Sequence, residues 1–166
     1  MPIPDRARSK GELAKAEVTV RELEAQLEHV RSLLKERRAE RLALTPESQA
    51  SAAAGDINRL VVLGNRGVTV DKTINELANA EAECAERVEA SRRYLYTLYV
   101  RLEKLRQEAR ELTRRLQAIE NPEEEPIRAP VNPREVETNL SRVKVQIKAI
   151  VGDQKTGQLL TGLGTK

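Results

Sequence analysis

The sequence predicts an all-α protein: a long antiparallel helical hairpin or coiled coil with a small β-hairpin insertion and a shorter third helix. Charged residues make up 33% of the 166 residues and aromatic residues only 2%, a balance typical of long helices and unlike a compact globular core. Apolar residues recur in steps of three and four along two long segments. Both segments begin with the Ser/Thr-x-x-Glu spacing of a helix-capping box.

An extended arm is predicted for residues 1–8, because its two prolines fix φ and disfavour helix in the residues before them. Ser9 and Glu12 follow with the spacing of a capping box, which starts the first helix. From there we predict a two-helix coiled coil over residues 9–120 that is interrupted at 45–72.

The first helix carries a heptad seam that becomes polar toward its end. The apolar seam residues are Leu13, Ala16, Val20, Leu23, Leu27, Val30 and Leu34. The same spacing next reaches Arg37 and Arg41, so the apolar stripe is expected to move to Leu33, Leu42 and Leu44. Polar seam positions of this kind set the register between paired helices.

The interruption at 45–72 is predicted from two breaks in the helical pattern. Thr45-Pro46 reads as a helix end and restart, and a short helical stretch after it is closed by Gly55. The sequence Gly64-Asn65-Arg66-Gly67 lies between β-branched residues, which predicts a small hairpin with glycines at positive φ. The alternative is a short helix over 56–63 followed by a loop.

The second helix has the strongest pattern in the chain, beginning with the capping box of Thr73 and Glu76 and ending at Asn121-Pro122. One set of heptad positions holds Ile74, Glu81, Val88, Leu95, Leu102, Ala109 and Leu116; the other holds Leu77, Cys84, Ser91, Leu98, Leu105, Leu112 and Ile119. A helix of this length needs a partner helix, in the same chain or in another copy.

Three further segments complete the chain: a linker rich in Pro and Glu at 121–132, a third helix at 133–151 and a flexible tail at 152–166. Asn132-Pro133 reads as a helix cap followed by the first helical residue. One face of the third helix is apolar, through Val136, Leu140, Val143, Ile147 and Ile150. This helix is expected to cover the part of the second helix that extends beyond the first.

All three tyrosines lie within residues 94–100, and the chain contains no Phe or Trp. Tyr94 and Tyr99 flank the seam there and Tyr96 points outward, which makes the apolar stripe widest at this point. We predict a packing interface, between helices or between subunits, formed by Tyr94, Leu95, Leu98, Tyr99, Leu102 and Leu105. A surface for stacking bases is the alternative, because arginines flank the patch.

The basic run at 31–41 is the best candidate for contact with nucleic acid, through Arg31, Lys35, Arg37, Arg38 and Arg41. Glu36 and Glu40 dilute its charge, and the formal net charge of the chain is only +3. The competing interpretation is a solvated helix face with ion pairs.

No constellation of residues predicts a reaction. Cys84 lies on the seam, His29 is the only histidine, and the acidic run of the linker has nothing to hold or desolvate a general acid. We therefore predict no enzyme activity, metal, cofactor or small-molecule substrate. We also predict no membrane association and a cytoplasmic or virion location, because neither an apolar span nor a signal-peptide core is present.

Three functional hypotheses follow. The first is a non-enzymatic structural or assembly protein that binds copies of itself or other structural subunits, as in the head or tail of a bacteriophage virion; it rests on the helical rod with Pro- and Gly-rich ends. Residues 13–119 also resemble a prefoldin subunit in the order helix, small hairpin, helix, including a glycine in the β-like stretch. That resemblance implies a chaperone or adaptor. The third hypothesis is a nucleic-acid-associated protein that uses the run at 31–41.

Overall fold

The computed structural model describes residues 11–121 and 132–153, and the regular structure in these ranges is entirely helical. Three helices follow one another: α1 (Glu12–Ala53), α2 (Ile57–Glu120) and α3 (Pro133–Val151). The predicted all-α class with two long helices and a shorter third helix is confirmed. The predicted N-terminal arm, together with most of the linker and of the C-terminal tail, lies outside the described residues.

Contacts divide the chain into two compact units. Unit 1 comprises Met1–Thr19 and Arg92–Lys166, and unit 2 comprises Val20–Ser91. Both α1 and α2 therefore contribute residues to each unit, whereas α3 belongs to unit 1.

In unit 2, α1 and α2 pair in antiparallel orientation. Arg31 Nε lies 3.2 Å from Glu81 Oε1, and further along α1 the Nε of Arg41 lies 2.8 Å from Asp71 Oδ1. Because the residue number rises along α1 while that of its partner falls along α2, the two helices run in opposite directions.

The predicted shift of the apolar stripe to Leu42 is wrong, since this side chain is 75% exposed.

A three-residue turn that contains Gly55 joins the two long helices. Gly55 has φ of 70°, a left-handed conformation that glycine adopts easily. Its N–H donates to the Ala52 carbonyl (3.1 Å) and that of Asp56 donates to the Ser51 carbonyl (3.0 Å), which together form a Schellman motif. Asp56 Oδ1 also accepts from the N–H of Arg59 (3.1 Å), so the residue that follows the glycine caps α2.

The predicted interruption at 45–72 is therefore wrong in extent, because α1 continues through Pro46. Proline removes the N–H that would bond the Leu42 carbonyl. Leu42 and Pro46 are both exposed, so water can hydrate that carbonyl, while Leu44 and Ser51 on the other side remain buried. Packing on the buried side holds the helix together across the proline.

The glycines predicted to shape a β-hairpin lie inside α2, so both the hairpin and its alternative, a short helix with a loop, are wrong. Neither Gly64 nor Gly67 has positive φ. Thr73, predicted to cap the helix, is also internal, and its hydroxyl donates to the Thr69 carbonyl at 3.0 Å.

Tertiary packing explains why this β-like stretch is helical. A cluster of buried residues joins the end of α1 to the start of α2 through Leu44, Leu63 and Val70, with Ile74 packed against it. Val70 and Leu63 continue the heptad spacing of Leu77 backward by one and two heptads, respectively. Burial along this seam outweighs the low helix propensity of valine and glycine.

Gly64→Ala is expected to raise the free energy of unfolding by about 1 kcal/mol, because alanine favours a helix interior over glycine. A Cβ added at Gly64 meets nothing within 4 Å, so no clash opposes the gain. Urea denaturation of dilute samples measures the change within the single chain. Gly55→Ala is the matched control and is expected to destabilise, because alanine is strained at its positive φ. Destabilisation by Gly64→Ala would contradict a continuous α2.

In unit 1, α3 packs against α2 and the first turns of α1. The buried core residues there are Leu13, Ala16, Leu98, Leu102, Leu105, Ala109, Leu112, Val136, Val143, Ile147, Ile150 and Val151. At the surface of the same interface, Arg142 Nη2 lies 3.0 Å from Glu108 Oε1. The apolar face predicted for α3 thus meets the later heptads of α2.

Both ends of α3 are capped. The side chain of Asn132 accepts from the N–H of Arg134 at 3.1 Å, as its predicted capping role requires, and Pro133 is the first helical residue. At the other end Gly152 has φ of 84°, and its N–H donates to the Lys148 carbonyl at 2.8 Å. The start of α1 approaches this end of α3 closely, because Gly11 is buried against its backbone.

Candidate interaction surfaces

The described residues contain no group of three or more His, Cys, Asp or Glu side chains placed to hold a metal ion. His29 is exposed and Cys84 is half-buried on the seam. Within the same ranges, no helix has an apolar stretch long enough to cross a membrane. The surfaces with a distinctive character are an aromatic surface in unit 1, a charged face in unit 2 and an apolar stripe in unit 2.

The predicted interface at residues 94–105 separates into buried leucines and exposed tyrosines. Leu98, Leu102 and Leu105 belong to the core of unit 1, and Leu95 packs against that core. The tyrosines lie outside it: Tyr94 is 52% exposed, Tyr96 70% and Tyr99 46%. The leucines therefore pack helices within the chain, whereas the tyrosine rings are available to a partner.

Tyr96 and Tyr99 share one side of α2, since three helical residues span about 60° around the axis. Tyr94 lies about 140° from Tyr99 by the same geometry. The Tyr99 hydroxyl donates to Glu17 Oε1 at 2.8 Å, and Val18, next to Glu17 in α1, is 49% exposed. We call the set Val18, Tyr96 and Tyr99 the tyrosine surface.

The bond to Glu17 also affects the ionisation of Tyr99. Because Glu17 accepts a hydrogen bond from the Tyr99 hydroxyl, the neutral phenol is favoured. Partial burial and the negative charge of Glu17 act in the same direction, so the pKa of Tyr99 is raised. Because the folded-state pKa is above the unfolded one, this bond contributes fully below the ordinary tyrosine pKa and is lost as the pH rises through the raised value. Tyr99 is thus a neutral phenol at neutral pH.

The charged face of unit 2 contains the five residues predicted to contact nucleic acid. Three of them pair with carboxylates: Arg31 with Glu81 (3.2 Å), Arg37 with Glu40 (2.7 Å) and Arg41 with Asp71 (2.8 Å). Lys35 and Arg38 are exposed, have no ion pair to a described residue, and line a surface depression of about 410 Å³ that also includes Leu42. These ion pairs neutralise three of the five cations, which leaves less positive charge for binding phosphates.

Glu40 is the centre of the best-connected ion cluster, because Arg66 of α2 also contacts it. The hydrogen bond from Arg37 is the main reason that the pKa of Glu40 lies below its usual value. Desolvation opposes this effect, and the hydrogen bond and positive charge of Arg66 lower the pKa further. A lowered folded-state pKa means that the stabilisation is present at neutral pH and is lost as the pH falls through that pKa.

The apolar stripe of unit 2 was not found by the sequence interpretation. It consists of Ile57 (72% exposed), Val61 (58%), Gly64 and Val68 (71%) on α2, and we call it the α2 stripe. These residues fall within about 60° of one another around the helix, roughly 130° from the buried Leu63 and Val70. The steps of four, three and four residues were the available signal, but the β-branched residues favoured a strand.

No protein-family model, curated protein or solved structure matches the chain.

Proposed function

We propose that this chain is a non-enzymatic structural protein that joins protein subunits in a larger assembly through the tyrosine surface. The observation that carries the proposal is the exposure of Tyr96 and Tyr99 beside Val18, above a core that is otherwise aliphatic. Tyrosine combines a large contact area with a polar tip and is enriched in protein interfaces. The hydrogen bond from the Tyr99 hydroxyl to Glu17 orients the Tyr99 ring, which is therefore partly preorganised for contact with a partner.

The proposed setting is a multi-subunit particle, for which the head or tail of a bacteriophage virion is one example. The composition of the chain supports this setting. Segments rich in Pro or Gly, at 1–8, 121–132 and 152–166, flank the helical segments, and such compositions suit extended contacts with neighbouring subunits. Other copies of the chain or different structural subunits are the proposed partners.

The two other hypotheses have less support. The resemblance to prefoldin depended on a hairpin between two helices, and residues 45–72 are helical apart from the short turn around Gly55. For nucleic acid, Lys35 and Arg38 are the two members of the predicted contact set without an ion pair to a described residue. Two cations would neutralise few phosphates, and binding at physiological salt usually requires more.

Tyr96→Ala combined with Tyr99→Ala is expected to reduce association of the full chain with itself or with its neighbours in the assembly. The first readout is native mass by light scattering over a range of concentrations, where association appears as a mass above 18.6 kDa. The helices should remain folded, because the lost hydrogen bond contributes only about 1 kcal/mol.

Tyr94→Ala is the matched control, since it removes the same side chain from another side of α2. A double variant that associates like the unmodified chain would contradict the role of the tyrosine surface. The proposal would also be contradicted if the unmodified chain were monomeric at every concentration, including in the presence of the subunits with which it is purified.

A further inference from the structure

We infer that the α2 stripe binds the same stripe of a second copy of this chain, with the two α2 helices antiparallel. This inference builds on the proposed assembly function by naming one partner and its geometry. The α2 stripe belongs to unit 2, whereas the tyrosine surface belongs to unit 1. The two are therefore testable by separate substitutions.

The side chains of the stripe have the chemistry of a protein interface. Three large aliphatic side chains are more than half exposed on one side of a helix whose opposite seam is already filled by the core of unit 2. Between Ile57 and Val70 the charged residues are Arg59 and Arg66, and both lie on the far side of the helix, roughly 170° from the stripe. Interface centres show this depletion of charge.

The residues of the stripe are spaced symmetrically along α2. Steps of four, three and four residues read the same in both directions, so an antiparallel copy brings Ile57 opposite Val68 and Val61 opposite Gly64. Each large side chain at the centre then meets a glycine, at which an added Cβ would find open space. A parallel copy would place glycine against glycine and leave a gap, so the shape of the stripe favours the antiparallel pairing.

The two ends of the stripe are complementary in charge in the antiparallel pairing. Lys72 is exposed and has no ion pair to a described residue. In the antiparallel register Lys72 lies about one helical turn beyond Ile57 of the second copy, past the start of that α2 helix and near the Asp56 carboxylate that caps it. The contact at each end is therefore between the Lys72 ammonium and the Asp56 carboxylate. Two-fold symmetry repeats this contact at the other end.

The size of the stripe sets the expected strength. It extends over roughly 16 Å of helix, and such a contact buries less than the roughly 800 Å² per partner of a standard interface. We therefore expect a dimer that dissociates on dilution.

Disulfide cross-linking tests the geometry directly in the full chain. Cys84→Ser removes the native thiol, and Val61→Cys and Gly64→Cys are then made as two separate variants. Under mild oxidation a mixture of the two is expected to form a covalent dimer more readily than either variant alone, since residues 61 and 64 face each other between copies. Stronger cross-linking of each variant with itself would indicate a parallel pairing and overturn the inference. Absence of cross-linking in the mixture would overturn it as well.

Sedimentation equilibrium tests the chemistry. Val61→Glu with Val68→Glu is expected to abolish dimerisation, and Lys72→Glu to raise its Kd by roughly tenfold, because two symmetric contacts change sign. Val62→Glu is the matched control: Val62 is 64% exposed but lies about 130° from the stripe. Equal effects of the stripe and control substitutions would contradict the inference. Unchanged melting of dilute samples shows that each variant is folded.

The tyrosine variants separate this inference from the proposed function. Suppose that Tyr96→Ala with Tyr99→Ala abolishes association and that the 61–64 cross-link does not form in the cysteine variants. The inference about the α2 stripe is then wrong, and the role of the tyrosine surface is supported. If the cross-link forms and the tyrosine substitutions change nothing, the inference stands and the role of the tyrosine surface falls.

Discussion

Gly11→Ala is expected to lower the free energy of unfolding of unit 1 by about 3 kcal/mol, as overpacking against a rigid neighbour does. Gly11 is buried, and a methyl group there would overlap the carbonyl oxygen of Ile150 and the backbone nitrogen of Gly152. Backbone atoms cannot rotate away as a side chain can, so the start of α1 and the end of α3 must separate. Part of the burial of Leu13 and Ile150 is lost with that separation.

Amide hydrogen exchange localises this effect. In Gly11→Ala the amides of α3 and of the first turn of α1 are expected to exchange faster, and urea denaturation should show the loss of stability. Gly64→Ala is the control: in dilute samples, in which the α2 stripe is unpaired, it adds the same methyl group in open space and is expected to stabilise the helix. If Gly11→Ala were as stable as the unmodified chain, the close approach of the two backbones would be wrong.

Heptad spacing predicted α2 and α3 well because burial enforces it. Every position assigned to the α2 seam from Ile74 to Ile119 is buried or half-buried. Local signals were less reliable: Pro46 and the pair Gly64 and Gly67 suggested breaks, yet packing of one face on a partner helix stabilises the helix through all three positions. The prediction that Gly55 ends a helix is correct, because the positive φ at this position strains any residue that has a Cβ.

The candidate surfaces were less predictable than the fold. The heptad frame identified the leucines at 95–105 but did not say that α3 fills their seam, which leaves the tyrosines outside the core. The α2 stripe was hidden because valine-rich sequence favours strands as well as helices. The role of Gly11 had no signal, because a close approach between residues 11 and 150 depends on tertiary structure. Ion pairs such as Arg41 with Asp71 likewise depend on the register of the helices.

Ile147→Ala is expected to destabilise the packing of α3 by about 3 kcal/mol, because Ile147 is fully buried in the core of unit 1 and alanine leaves a cavity there. Urea denaturation and amide exchange in α3 measure the change. Val145→Ala is the matched control on the same helix: Val145 is 67% exposed, so its truncation should change stability by less than about 0.5 kcal/mol. Equal effects at the two positions would contradict the packing of α3 described above.

Loosening α3 has a further consequence for association. Leu105, Ala109 and Leu112 of α2 lose their cover when α3 separates, and an exposed apolar seam of this length favours contact with other copies. Ile147→Ala should therefore increase self-association at temperatures where α3 is released. Because the newly exposed residues are in unit 1, Val61→Glu with Val68→Glu should not suppress that increase. Association through an uncovered core is thereby distinguished from specific pairing through the α2 stripe.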